Sequence, residues 1–120
     1  MQNSSTGKWL RMRIYVDESD RYKGKALYIY LLELLRRRGL RGATVYRAIA
    51  GFGAHSLIHL PSLLRFSEDL PIVIEVVDEE RRIREVLEEI KQVVQEGLIT
   101  LEEVEVVFYG HRGEQREQGT

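Results

Sequence analysis

The sequence predicts an α+β sandwich of ferredoxin-like order, β-α-β-β-α-β, built as a single domain. Three observations lead there. Four short runs read as strands, two longer runs carry apolar residues at three- and four-residue steps, and the six interleave as strand, helix, strand, strand, helix, strand. A chain of 120 residues, 43% of them hydrophobic, suffices for one core, and at this size a domain buries roughly two thirds of its unfolded surface.

Residues 1–8 are polar and read as a disordered arm. Leu10, Met12, Ile14 and Val16 then alternate with Arg11, Arg13 and Tyr15, the period of a strand. Residues 17–25 are polar, contain Gly24 and read as a loop; within them Asp20 and Tyr22 suggest no chemistry beyond a loop cap. From Ala26 the spacing changes to that of a helix, with Leu27, Tyr30, Leu31, Leu34 and Leu35 on one face. Arg36, Arg37 and Arg38 suit the negative end of its dipole, and Gly39 closes it. A second strand is expected over 43–50. The 51–70 stretch is long for a structureless connection, and such loops are usually functional or mobile. Pro71 precedes a third strand over 72–77, and Asp78 is the expected N-cap of the next helix. Ile83, Val86, Leu87, Ile90 and Val94 give that helix its apolar face, up to Gly97. Val104, Val106 and Phe108 mark a final strand ending at Gly110, so the folded domain spans 9–112 and 113–120 form a flexible tail. Both faces of the third and fourth strands read as apolar, which calls for a cover, most simply another subunit.

Composition excludes several classes of function. The net charge is −1 with 31% charged residues of mixed sign, unlike the basic excess of a protein that coats nucleic acid. The chain has no cysteine, which removes disulfides, zinc-thiolate sites and thiol catalysis and suits a reducing compartment. No apolar run approaches the ~20 residues of a membrane span, and the first eight residues are unlike a signal peptide. A soluble cytoplasmic protein is expected.

The chemically suggestive residues lie around Gly51-Phe52-Gly53. Glycines there let a ligand approach the backbone and can present N–H groups to an anion; a glycine-bearing bulge or turn is the alternative. His55 and His59, four apart, could ligate a metal on a helix, but a site needs three or four ligands and no carboxylate pattern completes one. Glu79, Glu80, Glu85, Glu88 and Glu89 interleave with Arg81, Arg82, Arg84 and Lys91 as a solvated helix face. Ser56, Ser62 and Ser67 lack a nucleophile-elbow motif, and no enzyme is expected.

Gly42-Ala43-Thr44-Val45 followed by Gly51-Phe52-Gly53 resembles the second strand of the PII superfamily of trimeric signalling proteins. The run from Asp20 to Tyr28, with Gly42 through Gly53 and Leu70 through Asp78, is similar to an uncharacterised PII-like family, a domain of unknown function. Ala26 and Ala48 stand where that family often has proline and glycine. The resemblance covers about residues 10–110 and implies a homotrimer with an adenine nucleotide in the cleft between subunits. By position, Thr44 would approach the base, the Gly51-Phe52-Gly53 turn would supply backbone contacts, and Arg47 and Arg112 are the nearest candidate cations. A solvated strand arginine and a tail residue are the plainer readings of those two.

PII proteins hold nucleotide phosphates on a glycine- and lysine-bearing loop before the second helix. Here Val77-Asp78-Glu79-Glu80 occupies that place, and carboxylates at the entrance would repel a polyphosphate. AMP is therefore favoured over ATP, with no required cofactor. The 51–70 loop, mobile until ligand or partner binds, would regulate a protein such as a membrane transporter. The alternative is a divalent-metal- or anion-responsive binding trimer of the CutA type, in which His55 and His59 would matter.

Overall fold

The structure, a computed structural model, describes residues 7–52 and 70–112. Its centre is β1 (Trp9–Asp17), whose Leu10, Met12, Ile14 and Val16 are buried while the residues between them face the other way. β5 (Pro71–Glu79) runs antiparallel along one side, pairing Ile14 with Ile74, and β6 (Leu98–Val104) along the other, pairing Ile14 with Ile99. β4 (Thr44–Arg47) adds to the far side of β5, giving the order β4-β5-β1-β6 with every pair antiparallel. Two helices, α1 (Leu27–Arg37) and α2 (Glu80–Val93), cover one face of this sheet. The expected ferredoxin-like α+β arrangement is the one observed.

Each helix is amphipathic for the reason its spacing gives. Leu27, Leu31, Leu34 and Leu35 of α1 and Ile83, Val86, Ile90 and Val93 of α2 meet Ile72, Ile74 and Val76 of β5 in one core. Each such side chain contributes about 1.5–3 kcal/mol relative to exposure. α1 ends in a Schellman motif, in which Leu40 N–H donates to the Leu35 carbonyl and Gly39 N–H to that of Arg36, both at 3.1 Å. The helices are linked by the Arg38 guanidinium, which donates to both carboxylate oxygens of Glu89 at 2.8 and 2.7 Å.

Four features differ from the sequence expectation. The polar stretch before α1 contains a small hairpin, β2 (Arg21–Tyr22) and β3 (Lys25–Ala26). Its two-residue turn has positive φ at Lys23 (51°) and Gly24 (83°), as a type I′ turn requires. Asp20 does serve as a loop cap: its carboxylate accepts the Asp17 N–H at 3.0 Å and its carbonyl the Leu27 N–H at 2.7 Å. Tyr22 packs against Tyr30, ring centroids 4.6 Å apart.

Asp78 does not cap α2. It is the last inward residue of β5 and wholly buried; Glu79 takes the cap position, with no side-chain bond, and strand passes into helix without a connecting residue. The final strand also lies earlier than expected, at 98–104 rather than from Val104 to its end at Gly110. Gly97 lets it start there, because a Cβ at that position would stand 2.5 Å from the Tyr15 carbonyl oxygen. It stops at Val104 because Val104 pairs with Trp9, the first residue of β1. The alternation beyond is genuine strand propensity without a partner strand among the described residues.

The sheet face away from the helices is not uniformly apolar. Val73, Val77, Tyr46, Trp9 and Tyr15 share it with a belt of four charges. Glu102 accepts from Arg11 Nε at 2.8 Å and Arg13 Nη1 at 3.1 Å, and Arg13 Nε reaches Glu75 at 3.3 Å. The two arginines hold the Glu102 carboxyl below its ordinary pKa, the hydrogen bond from Arg11 being the main cause.

Candidate functional site

Among the described residues, those that the sequence nominates cluster on β4 and its exit, with one exception. Thr44 opens β4, is exposed, and pairs with Glu75 of β5. Arg47 closes β4, and its Nε donates to Glu18 Oε1 at 3.0 Å, tying the strand to the end of β1. The backbone then stays against β5 through Ala48 N–H to the Pro71 carbonyl at 2.9 Å. At Gly51 a Cβ would approach Pro71 Cγ at 3.0 Å, so the proline ring gives this glycine a packing reason of its own. Phe52 is 68% exposed. Gly53, His55, His59 and most of the 51–70 loop lie outside the described residues.

The exception is Arg112. It follows β6, on the far edge of the sheet from β4, and sits three residues after Tyr109, which leans on Trp9 at the start of β1. The β4 exit lies level with Pro71, and Trp9 level with Glu79. Eight residues of strand separate those levels, roughly 26 Å at 3.3 Å per residue. Within one chain Thr44, Arg47, Gly51 and Phe52 are therefore near neighbours in sequence on one edge, and Arg112 stands at the opposite end.

At that opposite end is a group that sequence reasoning missed. Arg41, in the connection from α1 to β4, donates from Nη1 to Asp78 Oδ1 at 2.6 Å and from its backbone N–H to Asp78 Oδ2 at 2.8 Å. Its Nη2 reaches Glu79 at 3.4 Å. The guanidinium also lies within cation–π range of two rings, 5.2 Å from the Trp9 centroid and 5.7 Å from that of Tyr109. Arg82 adds a second charge, its Nε 3.8 Å from Asp78 Oδ1. No local signal announces this set, since Arg41 and Asp78 are 37 positions apart.

The arrangement changes the electrostatic picture at the start of α2. Asp78 and Glu79 are paired with Arg41 and Arg82, and Glu80 accepts from Arg84 at 2.9 Å. The bond from Arg84 depresses the Glu80 pKa, helped by Lys8. Lys8, assigned by sequence to the arm, bonds Glu103 at 3.1 Å while its carbonyl accepts the Glu80 N–H at 2.9 Å. The entrance to α2 is thus close to neutral, not the bare carboxylate cluster that the sequence suggests.

A shallow cavity of about 200 Å³ lies elsewhere, between Asp20, Arg21 and Tyr22 of the hairpin region and Val93, Gln95 and Glu96 at and just past the end of α2. Among the described residues no three His, Asp or Glu side chains converge as a metal site, and no helix is long and apolar enough to cross a membrane.

Comparison with known proteins places this geometry. Among solved structures, the fold is similar to CPII, a nitrogen regulatory PII-like protein from Thiomonas intermedia K12 bound to ADP, AMP and bicarbonate. That likeness has a TM-score of 0.61 at 18% identity, over 82% of this chain and 94% of that one. A PII-like signaling protein from Thermus thermophilus gives 0.60 at 20% identity, over 91% and 95%. These likenesses establish the PII-like fold. Among curated proteins, a UPF0166 protein of Aquifex aeolicus is 48% identical over 97 residues, 81% of this chain and 91% of the relative. The UPF0166 protein MJ1524 of Methanocaldococcus jannaschii is 35% identical over 96 residues, 79% and 88% of the two chains. With a family model matching residues 9–106 as well, the chain belongs to the DUF190 family, described as "Uncharacterized ACR".

Proposed function

We propose that this protein is a PII-like regulator that acts by binding: a homotrimer takes a small adenine nucleotide, AMP in preference to ATP, in the cleft between subunits. The 51–70 segment then carries the signal to a protein partner. The observation that supports this most directly is the division of the candidate residues between two ends of the sheet. A site that uses the Gly51-Phe52-Gly53 turn together with Arg112 needs two copies of the chain. An arginine suits the phosphate because its planar fork donates two bonds at once. The PII-like fold, seen with ADP and AMP in CPII, supports the ligand class, and the absence of a glycine- and lysine-bearing loop before α2 supports few phosphates.

Calorimetric titration with AMP, ADP and ATP tests the reading. AMP has roughly two dozen heavy atoms at about 0.3 kcal/mol each, which corresponds to a dissociation constant on the order of 10 μM. Arg112→Gln and Gly53→Val should each weaken AMP at least tenfold while the oligomer mass stays constant. Absence of heat and of any thermal shift at millimolar AMP would remove the nucleotide from the proposal. Equal binding by both variants would remove these residues from the site.

A further inference from the structure

The β2–β3 hairpin stands apart from the four-stranded sheet. Its strands are two residues long, and a hairpin of that size is marginal by itself. Lys23 at its turn has a φ of 51°, the left-handed region, where a residue with a Cβ is uncommon. What the hairpin builds is one wall of the cavity described above, from Asp20, Arg21 and Tyr22. Gln95 and Glu96 form the opposite wall, and Leu27 and Val93 supply apolar surface between them. These walls are anchored. Asp20 accepts the Asp17 N–H on its carboxylate and the Leu27 N–H on its carbonyl. Arg21 pairs with Ala26 and donates from Nη2 to the Gly24 carbonyl at 3.2 Å, and Tyr22 packs on Tyr30. Gln95 and Glu96 run from the end of α2 into Gly97, whose backbone lies close against the Tyr15 carbonyl. Walls held in this way lose little freedom when a ligand enters.

We infer that this cavity binds a small α-amino acid as its zwitterion, one with an uncharged aliphatic side chain of about valine size. The inference goes beyond the nucleotide reading and does not depend on it. Charge decides the class of ligand. Two carboxylates, Asp20 and Glu96, and one guanidinium, Arg21, line the same cavity. A dicarboxylate would meet like charges at Asp20 and Glu96, and a metal ion or polyamine would meet one at Arg21. An ammonium beside the carboxylates and a carboxylate on Arg21 match both signs through charge-assisted hydrogen bonds. The groups have capacity for this. Asp20 uses Oδ2 for the Asp17 N–H, and its Oδ1 has no partner among the described residues. Arg21 uses Nη2 for the Gly24 carbonyl and has no other partner among the described residues. A volume of about 200 Å³ lies below the ~300–1,000 Å³ of sites for drug-sized ligands and suits roughly ten heavy atoms. Once the charges are matched to the ammonium and carboxylate, Leu27 and Val93 remain for the side chain, which makes it aliphatic.

Backbone amide NMR spectra of the nucleotide-free parent protein test this. They are recorded with L-valine, with isobutylamine, which lacks its carboxylate, and with isovalerate, which lacks its ammonium. Valine should give saturable shifts confined to residues 20–27 and 93–97, with a dissociation constant on the order of 1 mM. Each half-molecule should bind about tenfold more weakly, because it leaves one wall charge unmatched. Arg21→Gln should weaken valine about tenfold and leave isobutylamine unchanged. Asp20→Asn, which keeps an oxygen for the Asp17 N–H, should weaken valine and leave isovalerate no weaker. The inference is overturned by the absence of saturable shifts with valine, by either half-molecule binding as well as valine, or by tighter binding of succinate. Variants that bind valine as the parent does overturn it too. The comparison of half-molecules uses the parent alone, so it decides the question even where a substitution disturbs the hairpin. With no nucleotide present, the outcome is separate from that of the AMP titration.

Discussion

Replacing Asp78 by Asn separates two roles that one residue could play at the start of α2. As an N-cap, Asp and Asn are nearly equivalent, and the change would cost less than about 0.5 kcal/mol. The observed Asp78 is instead wholly buried, 2.6 Å from Arg41 Nη1 and 2.8 Å from the Arg41 N–H, with Arg82 Nε at 3.8 Å. Loss of its charge leaves Arg41, only 25% exposed, with the weaker Glu79 contact at 3.4 Å. Breaking a buried pair costs about 3–5 kcal/mol, and the remaining Glu79 contact with partial hydration lowers that to about 2–3 kcal/mol. For a domain of this size the midpoint of thermal unfolding should fall by about 8 °C. Urea unfolding at one fixed protein concentration measures the loss of free energy, and a double-mutant cycle with Arg41→Met should return a coupling of about 2 kcal/mol. An Asp78→Asn protein within about 0.5 kcal/mol of the parent would refute the pairing argument and restore the cap.

Gly97→Ala should destabilise by about 2–3 kcal/mol in the same assay, because its Cβ would meet the Tyr15 carbonyl at 2.5 Å; an unchanged midpoint would mean that β6 can start elsewhere. Glu89 is held below the ordinary carboxylate pKa of 4.5, first by its hydrogen bond from Arg38 and then by the charges of Arg38 and Arg37. Because the folded state binds that proton less readily than the unfolded one, the contribution is present above pH 4.5 and fades as pH falls through the lowered folded value. Glu89→Gln should therefore flatten the acid side of the stability profile and leave the alkaline side alone, and an acid limb as steep as the parent's would contradict this. Leu31→Ala, at a core position with no exposure, should cost about 3 kcal/mol, visible as a lower urea midpoint at constant slope.

What was legible in the sequence is what local physics decides. Period-two alternation from Leu10 to Val16 gave β1 because one face had to be buried, and Gly39 marked the end of α1 because only one residue type closes a Schellman motif cheaply. The hairpin at 21–26 escaped notice because its strands are two residues long, although Lys23-Gly24 between Tyr22 and Lys25 was the available signal. The last strand was misplaced because its length depends on where β1 begins, a tertiary fact. Arg41 with Asp78 could not be paired from sequence for the same reason. Thr44, Arg47, Gly51 and Arg112 were nominated by motif and position; that they divide between two ends of the sheet follows from strand order, which no single residue encodes.

The charge belt on the sheet face away from the helices has a consequence for the order of events as the chain folds. Arg11, Arg13, Glu75 and Glu102 satisfy one another while still in water, and surface pairs of this kind impose little desolvation cost. Such a face does not require a lid in order to form. The core of helices and sheet can thus be completed by a lone chain, and in the proposed assembly the encounter with other copies is a later, bimolecular event. Recovery of secondary structure after dilution from urea should proceed at a rate independent of protein concentration, while any rise in mass that the proposed assembly brings should accelerate with it.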